Sequence, residues 1–207
     1  LGLPMAIKDY NDVSGVRTTY GSTIFKNNIP KDSDRTIKLL ERNGANPVAK
    51  SNVPEWAGGH TFNPVNGLTR NPWDISKSAG GSSGGSASAL ASGQVFLATG
   101  NDLGGSLRTP AGFNGVVGLR PSPGLIPRGD RYMPFDTLWV EGPMARNVED
   151  IALMLDSMVG HDIGDPLSFK SKTGSFIEYL KKDLNPVSIS VSEDLNLVPV
   201  ASEVRKV

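Results

Sequence analysis

The stretch at residues 80–90, which reads GGSSGGSASAL, constrains the fold of this chain more than any other part of its sequence. Four glycines fall among seven residues, immediately before a helix-like segment. Glycine loses more conformational freedom on folding than any other residue and costs about 0.5–1 kcal/mol relative to alanine inside regular structure. A fold that keeps these glycines therefore needs bare backbone at this point.

Three interpretations compete for this glycine and serine run. A flexible linker would be flanked by polar sequence, whereas this run enters an apolar helix and strand pair. An ATP-binding phosphate loop requires the spacing G-x-x-x-x-G-K-[ST], and no lysine occurs between Ser78 and Arg108. The third interpretation, a catalytic loop whose unusual backbone holds a serine hydroxyl in place, is the one we favour.

A second cluster, NDLGGSLRTP at residues 101–110, again sets a glycine pair before a serine. If this loop turns tightly, the backbone N–H groups of Leu103, Gly104, Gly105 and Ser106 converge on one point, as an oxyanion hole requires. A serine beside such donors is a natural nucleophile. The alternative is that Ser106 only caps the helix that begins after it.

A serine nucleophile requires a base. The chain has two histidines: His161 follows the helix-ending Gly160 in a polar loop, and His60 has no acidic partner at a recognisable spacing. A lysine can act instead if burial lowers its pKa from about 10.4 toward neutrality. Lys8, at the end of the apolar run PMAI, is placed for that role, and the alternative is a surface lysine at a strand end.

The composition excludes several classes of function. Among 207 residues, 21 Lys and Arg balance 21 Asp and Glu, so neither nucleic acid nor an acidic membrane surface is an expected direct partner. The absence of cysteine rules out disulfides, thiolate metal sites and cysteine nucleophiles. We expect no cofactor, no metal and no membrane segment, and a cytoplasmic location.

Helical and strand-like segments alternate along the chain, which favours an α/β sheet covered by helices. Strands are predicted at residues 3–9, 45–51, 94–100 and 188–194, and helices at residues 32–45, 86–93, 147–160 and 176–180. We expect one domain over residues 1–207, truncated at both ends, because the chain begins on leucine and its last residues read as the first turn of a helix.

The segments GGSSGGSASALASG and ATGNDLGGSLRTPAGFNGVVGLRPSPGLIPR, residues 80–93 and 98–128, together resemble the defining block of the amidase signature hydrolases. LGLPMAIKD at the start resembles the lysine-bearing strand of that family, and residues 141–160 resemble its strand and helix after the signature. The resemblance implies a mixed central β-sheet covered by helices on both faces, here an incomplete portion of that fold.

The resemblance also implies a Ser–cis-Ser–Lys triad. It assigns Lys8 as the base, Ser82 as the bridging serine after a cis peptide bond, and Ser106 as the nucleophile. Ser82 lies 74 residues after Lys8, and Ser106 lies 24 residues further on, both close to the spacing of the family. Lys50 falls in a segment that carries no catalytic group in the family, and we reject it as the base.

Supporting roles are expected for Ser83, Asp102 and Arg108 around the nucleophile loop. For Lys8 to be uncharged at working pH, desolvation must outweigh nearby carboxylates, of which Asp9 and Asp102 are the candidates.

The resemblance implies a hydrolase of small-molecule linear amides. The glutaminase subunit of a tRNA-dependent amidotransferase is the alternative within the same family, and a non-catalytic fragment that self-associates is a third. The segment PFDTLWVEGPMAR at residues 134–146 resembles stand-alone amidases more than those subunits, so we prefer the first. The sequence specifies neither the acyl and amine groups of the substrate nor the oligomeric state, for which a homo-oligomer is one alternative.

Overall fold

The computed structural model describes residues 2–129, 132–182, 186 and 188–206. The strands within them are β1 (Leu3–Lys8), β2 (Ala45–Ser51), β3 (Phe62–Asn63), β4 (Gly67–Leu68), β5 (Leu97–Asp102), β6 (Val117–Gly118) and β7 (Val140–Ala145). Five of them form a sheet in the order β2-β1-β5-β7-β6, and β3 pairs with β4 in a two-stranded ribbon. The helices are α1 (Arg35–Arg42), α2 (Gly84–Ala91), α3 (Arg108–Asn114), α4 (Val148–Met158), α5 (Phe176–Leu180) and α6 (Ser202–Arg205).

The sheet is mixed. Strand β1 runs parallel to both of its neighbours, β2 and β5, and β7 runs antiparallel to both β5 and β6. The parallel pairs require crossovers along the chain, which α1 and α2 provide. Within the described ranges, no helix combines the length and the apolar character that crossing a bilayer requires.

Helices cover both faces of the sheet, as the sequence predicts. Alternate residues of β1 point to opposite faces. Met5 and Ile7 pack in a core that includes buried residues of α1 and α4, whereas Ala6 belongs to a second core with residues of α2 and α3. The alternation therefore places Lys8 on the same face as Ala6, toward α2.

Local sequence explains α4, the longest of the described helices. The side chain of Asn147 accepts a hydrogen bond from the Asp150 N–H at 2.7 Å, which caps the first turn. Ile151, Met154, Leu155 and Met158 recur at helical spacing and are buried. Burying each such side chain contributes about 1.5–3 kcal/mol, so this face fixes the helix against the sheet.

One predicted strand is wrong. Residues 188–194 form no strand, and Ile189 and Val191 are 78% and 85% exposed. Alternating apolar residues form a strand only beside a partner that completes its backbone hydrogen bonds, and no described segment pairs with this one. The other predicted strands and helices are present, with ends displaced by a few residues.

Candidate active site

Strand β1 ends by delivering the Lys8 side chain to the start of α2. Lys8 is fully buried, and its Nζ lies 2.7 Å from Oγ of Ser82 and 2.9 Å from Oγ of Ser83. A third contact reaches Oδ1 of Asn101, on β5. Ser83 immediately precedes α2 but makes no side-chain cap, because its hydroxyl is turned to the lysine instead.

Burial lowers the pKa of Lys8 from 10.5 to about 7, against the opposing influence of the Glu141 and Asp102 carboxylates. The uncharged amine is therefore accessible near neutral pH, where an ordinary lysine is almost entirely protonated. Asp9, which the sequence suggested beside Asp102, does not act on Lys8. Its carboxylate accepts the Thr19 N–H at 3.0 Å, and Glu141 is the second carboxylate that influences the amine.

The glycine run is explained by backbone packing. The peptide bond between Gly81 and Ser82 is cis, as the resemblance implies. A Cβ added to Gly81 would lie 2.7 Å from Cα of His60, and one added to Gly85 would lie 2.9 Å from Cα of Asn52. Real Cβ atoms almost never come so close to backbone, so the approach of residues 52–60 requires glycine at both positions.

Asp102 anchors the loop at residues 103–107, which contains Ser106, from the end of β5. Its carboxylate accepts hydrogen bonds from the N–H groups of Gly105 at 2.8 Å and Leu107 at 3.1 Å. It also pairs with Arg108 at 3.0 Å and with Arg120 at 2.9 Å. Burial alone would raise the pKa of Asp102, but the bonds from Arg108 and from the two N–H groups outweigh it and hold that pKa well below its usual range.

Asp102 also binds one of the four N–H groups that the sequence suggested for an oxyanion hole. Gly105 adopts a φ of +114°, in the region that favours glycine, and its N–H is donated to Asp102. The N–H groups of Leu103, Gly104 and Ser106 have no acceptor within the described part of the chain. These three groups are the donors that an oxyanion could use.

Ser106 lies beside an open cleft of about 500 Å³. It does not cap α3, because the cap position is Leu107 and no side chain bonds there. Its carbonyl accepts the Ser83 N–H at 3.3 Å, which ties the loop at residues 103–107 to the start of α2. The Ser106 hydroxyl makes no hydrogen bond to another described residue. The hydrogen bond between Lys8 and Ser82 is therefore present in the structure, and one between Ser82 and Ser106 is not.

The candidates that the sequence disfavoured lie in other environments. Nζ of Lys50 contacts Oγ1 of Thr18 at 2.8 Å and lies 3.7 Å from the Asp9 carboxylate, and it makes no hydrogen bond to Ser82 or Ser106. His60 borders the cleft, but its Nδ1 pairs with Oγ of Ser78 at 3.0 Å and not with a carboxylate. His161 is exposed.

Four residues of the site carry no signal that sequence reasoning used. Asn101 contacts Lys8, and Glu141 influences the pKa of Lys8. Arg120 binds Asp102, and Oγ1 of Thr61 accepts the Gly84 N–H at 3.0 Å. Asn101 and Glu141 are directly paired across β5 and β7, a relation that only the folded sheet creates.

Comparison with known proteins decides the family. The sequence profile of the family described as Amidase matches residues 1–207, the whole chain. The chain belongs to the amidase family. Solved structures of this family share its fold at sequence identities above 30%, so the likeness in fold and the likeness in sequence agree.

Three similar proteins illustrate the relationship. A glutamyl-tRNA(Gln) amidotransferase subunit from Cyanothece sp. is 42% identical over 194 residues, which cover 93% of this chain and 40% of that protein. The crystal structure of the corresponding glutamyl-tRNA(Gln) amidotransferase subunit from Thermotoga maritima is 36% identical with a TM-score of 0.75, covering 82% of this chain and 38% of that one. A 6-aminohexanoate cyclic dimer hydrolase with bound substrate is 31% identical with a TM-score of 0.83, covering 87% and 39%. The chain thus spans less than half the length of these relatives.

Proposed function

We propose that the protein carrying this chain cleaves the C–N bond of a carboxylic amide, with Ser106 as the nucleophile and with Ser82 and Lys8 as a proton relay. The observation that carries the proposal is the fully buried Lys8 amine, 2.7 Å from the Ser82 hydroxyl and with its pKa lowered to about 7. A general base works best when its pKa lies near the working pH.

The contacts of Lys8 set the direction of the relay. A neutral amine has two N–H groups to donate and one lone pair to accept. The side-chain Oδ1 of Asn101 can only accept, so it takes one N–H of the amine. The Ser83 hydroxyl donates its own proton to the backbone carbonyl of Asn101 at 3.5 Å, so its oxygen accepts the other N–H. The lone pair then faces the O–H of Ser82, whose own oxygen is left to accept a proton from Ser106.

Acylation follows from this polarity. Ser106 Oγ attacks the amide carbon while its proton passes to Ser82, and the Ser82 proton passes to the Lys8 amine, which becomes an ammonium. The carbonyl oxygen becomes an oxyanion, held by the free N–H groups of the nucleophile loop. The relay then runs backwards: Ser82 protonates the leaving nitrogen, Lys8 returns a proton to Ser82, and the C–N bond breaks.

Deacylation repeats the cycle with water in place of Ser106. Water loses a proton to Ser82 as it attacks the acyl-enzyme ester, and Ser106 regains a proton when the ester bond breaks. The carboxylic acid leaves, and the amine on Lys8 is again neutral. The site therefore completes hydrolysis with its own side chains as proton carriers.

A glutaminase subunit of an amidotransferase is the second candidate. It is favoured by curated relatives described as amidotransferase subunits at 38–42% identity. The segment at residues 134–146 favours a stand-alone amidase instead. Ammonia release from glutamine, measured with and without an added partner subunit, separates the two, because a glutaminase subunit should release ammonia from glutamine faster when its partner is present.

Covalent labelling tests the nucleophile and the relay together. In the intact protein, a fluorophosphonate should add to Ser106, and Ser106→Ala should abolish the mass increase. Ser82→Ala should slow labelling by about 10²–10⁴-fold, the usual contribution of proton transfer by a positioned group. Ser92→Ala, on the exposed end of α2, is the control and should label at the original rate. Full labelling of the Ser106→Ala variant would refute the proposal.

A further inference from the structure

Two tryptophans border the cleft beside Ser106. Trp56 and Trp139 belong to separate segments, and both line the same space of about 500 Å³. His60 is the only residue with a titratable side chain among the described residues that line it, since the others are small, apolar or hydroxyl-bearing. The described residues that line the cleft thus include two tryptophans and no Asp, Glu, Lys or Arg.

Trp56 is held rigidly although it is 48% exposed. Its ring stacks on Tyr20 with centroids 5.5 Å apart and planes 6° apart, and Phe25 meets it edge-on at 5.3 Å. Its backbone has a φ of +52°, a conformation that a bulky side chain rarely adopts. A backbone in that region persists only when its surroundings impose it, so the contacts around Trp56 stabilise this conformation.

Trp139 is braced by a different set of groups. Its Nε1–H donates to Oε1 of Glu141 at 3.0 Å, the Arg128 guanidinium lies 5.1 Å from the ring centroid, and the Tyr10 ring lies 4.9 Å away. The indole is therefore held both at its N–H end and through its ring. The two tryptophans form the aromatic wall of the cleft.

From these observations, and resting on the proposed function, we infer that the substrate carries an aromatic ring next to its scissile amide and that this ring packs against the aromatic wall of Trp56 and Trp139. Rigid indoles favour a flat apolar group through stacking and edge contacts. A free amino acid such as glutamine would bring an ammonium and a carboxylate, and the described residues that line the cleft include no Asp, Glu, Lys or Arg to pair with either. The ring can belong to the acyl group or to the amine.

Protection from labelling tests the inference in the intact protein. The measurement is the concentration of each amide that halves the rate of fluorophosphonate labelling at Ser106. The amides are phenylacetamide with a ring on the acyl side, acetanilide with a ring on the amine side, propionamide with no ring, and glutamine. At least one ring-bearing amide should protect at a concentration about 10-fold or more below that of propionamide and of glutamine.

Variants then connect the preference to the wall. The preference is the half-protecting concentration of propionamide divided by that of the ring-bearing amide. Trp56→Ala should reduce this ratio by about 10-fold, and Trp56→Phe should retain most of the preference, because a phenyl ring still stacks. Trp73→Ala is the matched control, since Trp73 is exposed and does not line the cleft, and it should leave the ratio unchanged. A Trp56→Ala effect that is equal for all four amides would overturn the inference.

The outcomes separate the inference from the function on which it rests. Normal labelling of Ser106 with equal protection by all four amides, or with glutamine as the best protector, overturns the inference and leaves the proposed function intact. Loss of labelling at Ser106 refutes the function and the inference together.

Discussion

Replacing Lys8 by methionine should change how the stability of the protein depends on pH. Burial lowers the pKa of Lys8 from 10.5 to about 7. The unfolded chain therefore holds this proton up to about pH 10.5, whereas the folded protein releases it above about pH 7. Between those limits the unfolded state binds more protons, so the free energy of unfolding rises with pH.

The magnitude follows from the same shift. A single group contributes at most about 1.4 kcal/mol per pH unit, so Lys8 should add about 3 kcal/mol to the free energy of unfolding between pH 7.5 and 9.5. Lys8→Met removes this contribution and keeps an unbranched side chain of similar length. Lys50, whose pKa burial lowers to about 8, titrates in the same range but is present in both proteins and cancels in the difference.

Denaturant unfolding of the intact protein at a series of pH values measures the effect. The wild type should gain stability relative to Lys8→Met as the pH rises through this window. Lys38→Met is the matched control, because Lys38 is 38% exposed, and it should retain the slope of the wild type. Parallel curves for the wild type and Lys8→Met would show that Lys8 is an ordinary charged lysine and would refute the reasoning.

Three further predictions concern the loop, the glycine run and the second carboxylate. Asp102→Asn should lower the free energy of unfolding by about 1.5–3 kcal/mol in denaturant titrations, because it removes the buried carboxylate that accepts two backbone N–H groups and pairs with two arginines, and a loss below about 1 kcal/mol would contradict the anchor. Gly85→Ala should destabilise the protein because of its backbone contact, whereas Gly112→Ala, with open space around its Cα, should be neutral or stabilising by up to about 1 kcal/mol in the same titrations. Glu141→Gln removes a charge that raises the pKa of Lys8, so the midpoint of the labelling rate against pH should fall below that of the wild type, and an upward move would contradict the electrostatic assignment.

The glycine run shows how far local sequence reaches. Its composition predicts a loop that opens a helix and needs bare backbone, and α2 does begin at Gly84. The partner that makes glycine necessary is the segment at residues 52–60, which packs against Gly81 and Gly85. No periodicity or propensity encodes that approach, because it is created when the two segments meet in the folded protein.

The lysine shows the same division between local and long-range information. The apolar run before Lys8 predicts a strand with a polar residue at its end, which β1 confirms. The value of its pKa depends on α2 and β5 closing over the amine, and on Glu141, which the register of β5 and β7 sets opposite Asn101. The resemblance selects Lys8, and the sequence suggests Asp102 as one of two carboxylates that influence it, but the influence of Glu141 is visible only in the fold.

The failed strand at residues 188–194 has a related cause. Its alternating apolar and polar residues satisfy the pattern of a half-buried strand. Ile189 and Val191 nevertheless remain exposed, because a strand is stabilised by its neighbours and not by its own pattern. The alternating pattern alone therefore does not show whether a partner strand is present.

The rate at which a fluorophosphonate labels Ser106, followed by intact mass across about pH 5.5–9, tests the relay most directly and does not require knowledge of the substrate. The account predicts that the wild-type rate rises with pH, with a midpoint near the Lys8 pKa of about 7, and that Lys8→Met labels slowly without that midpoint. A wild-type rate that stays constant across this range, or a Lys8→Met variant that labels with the same profile, would contradict it.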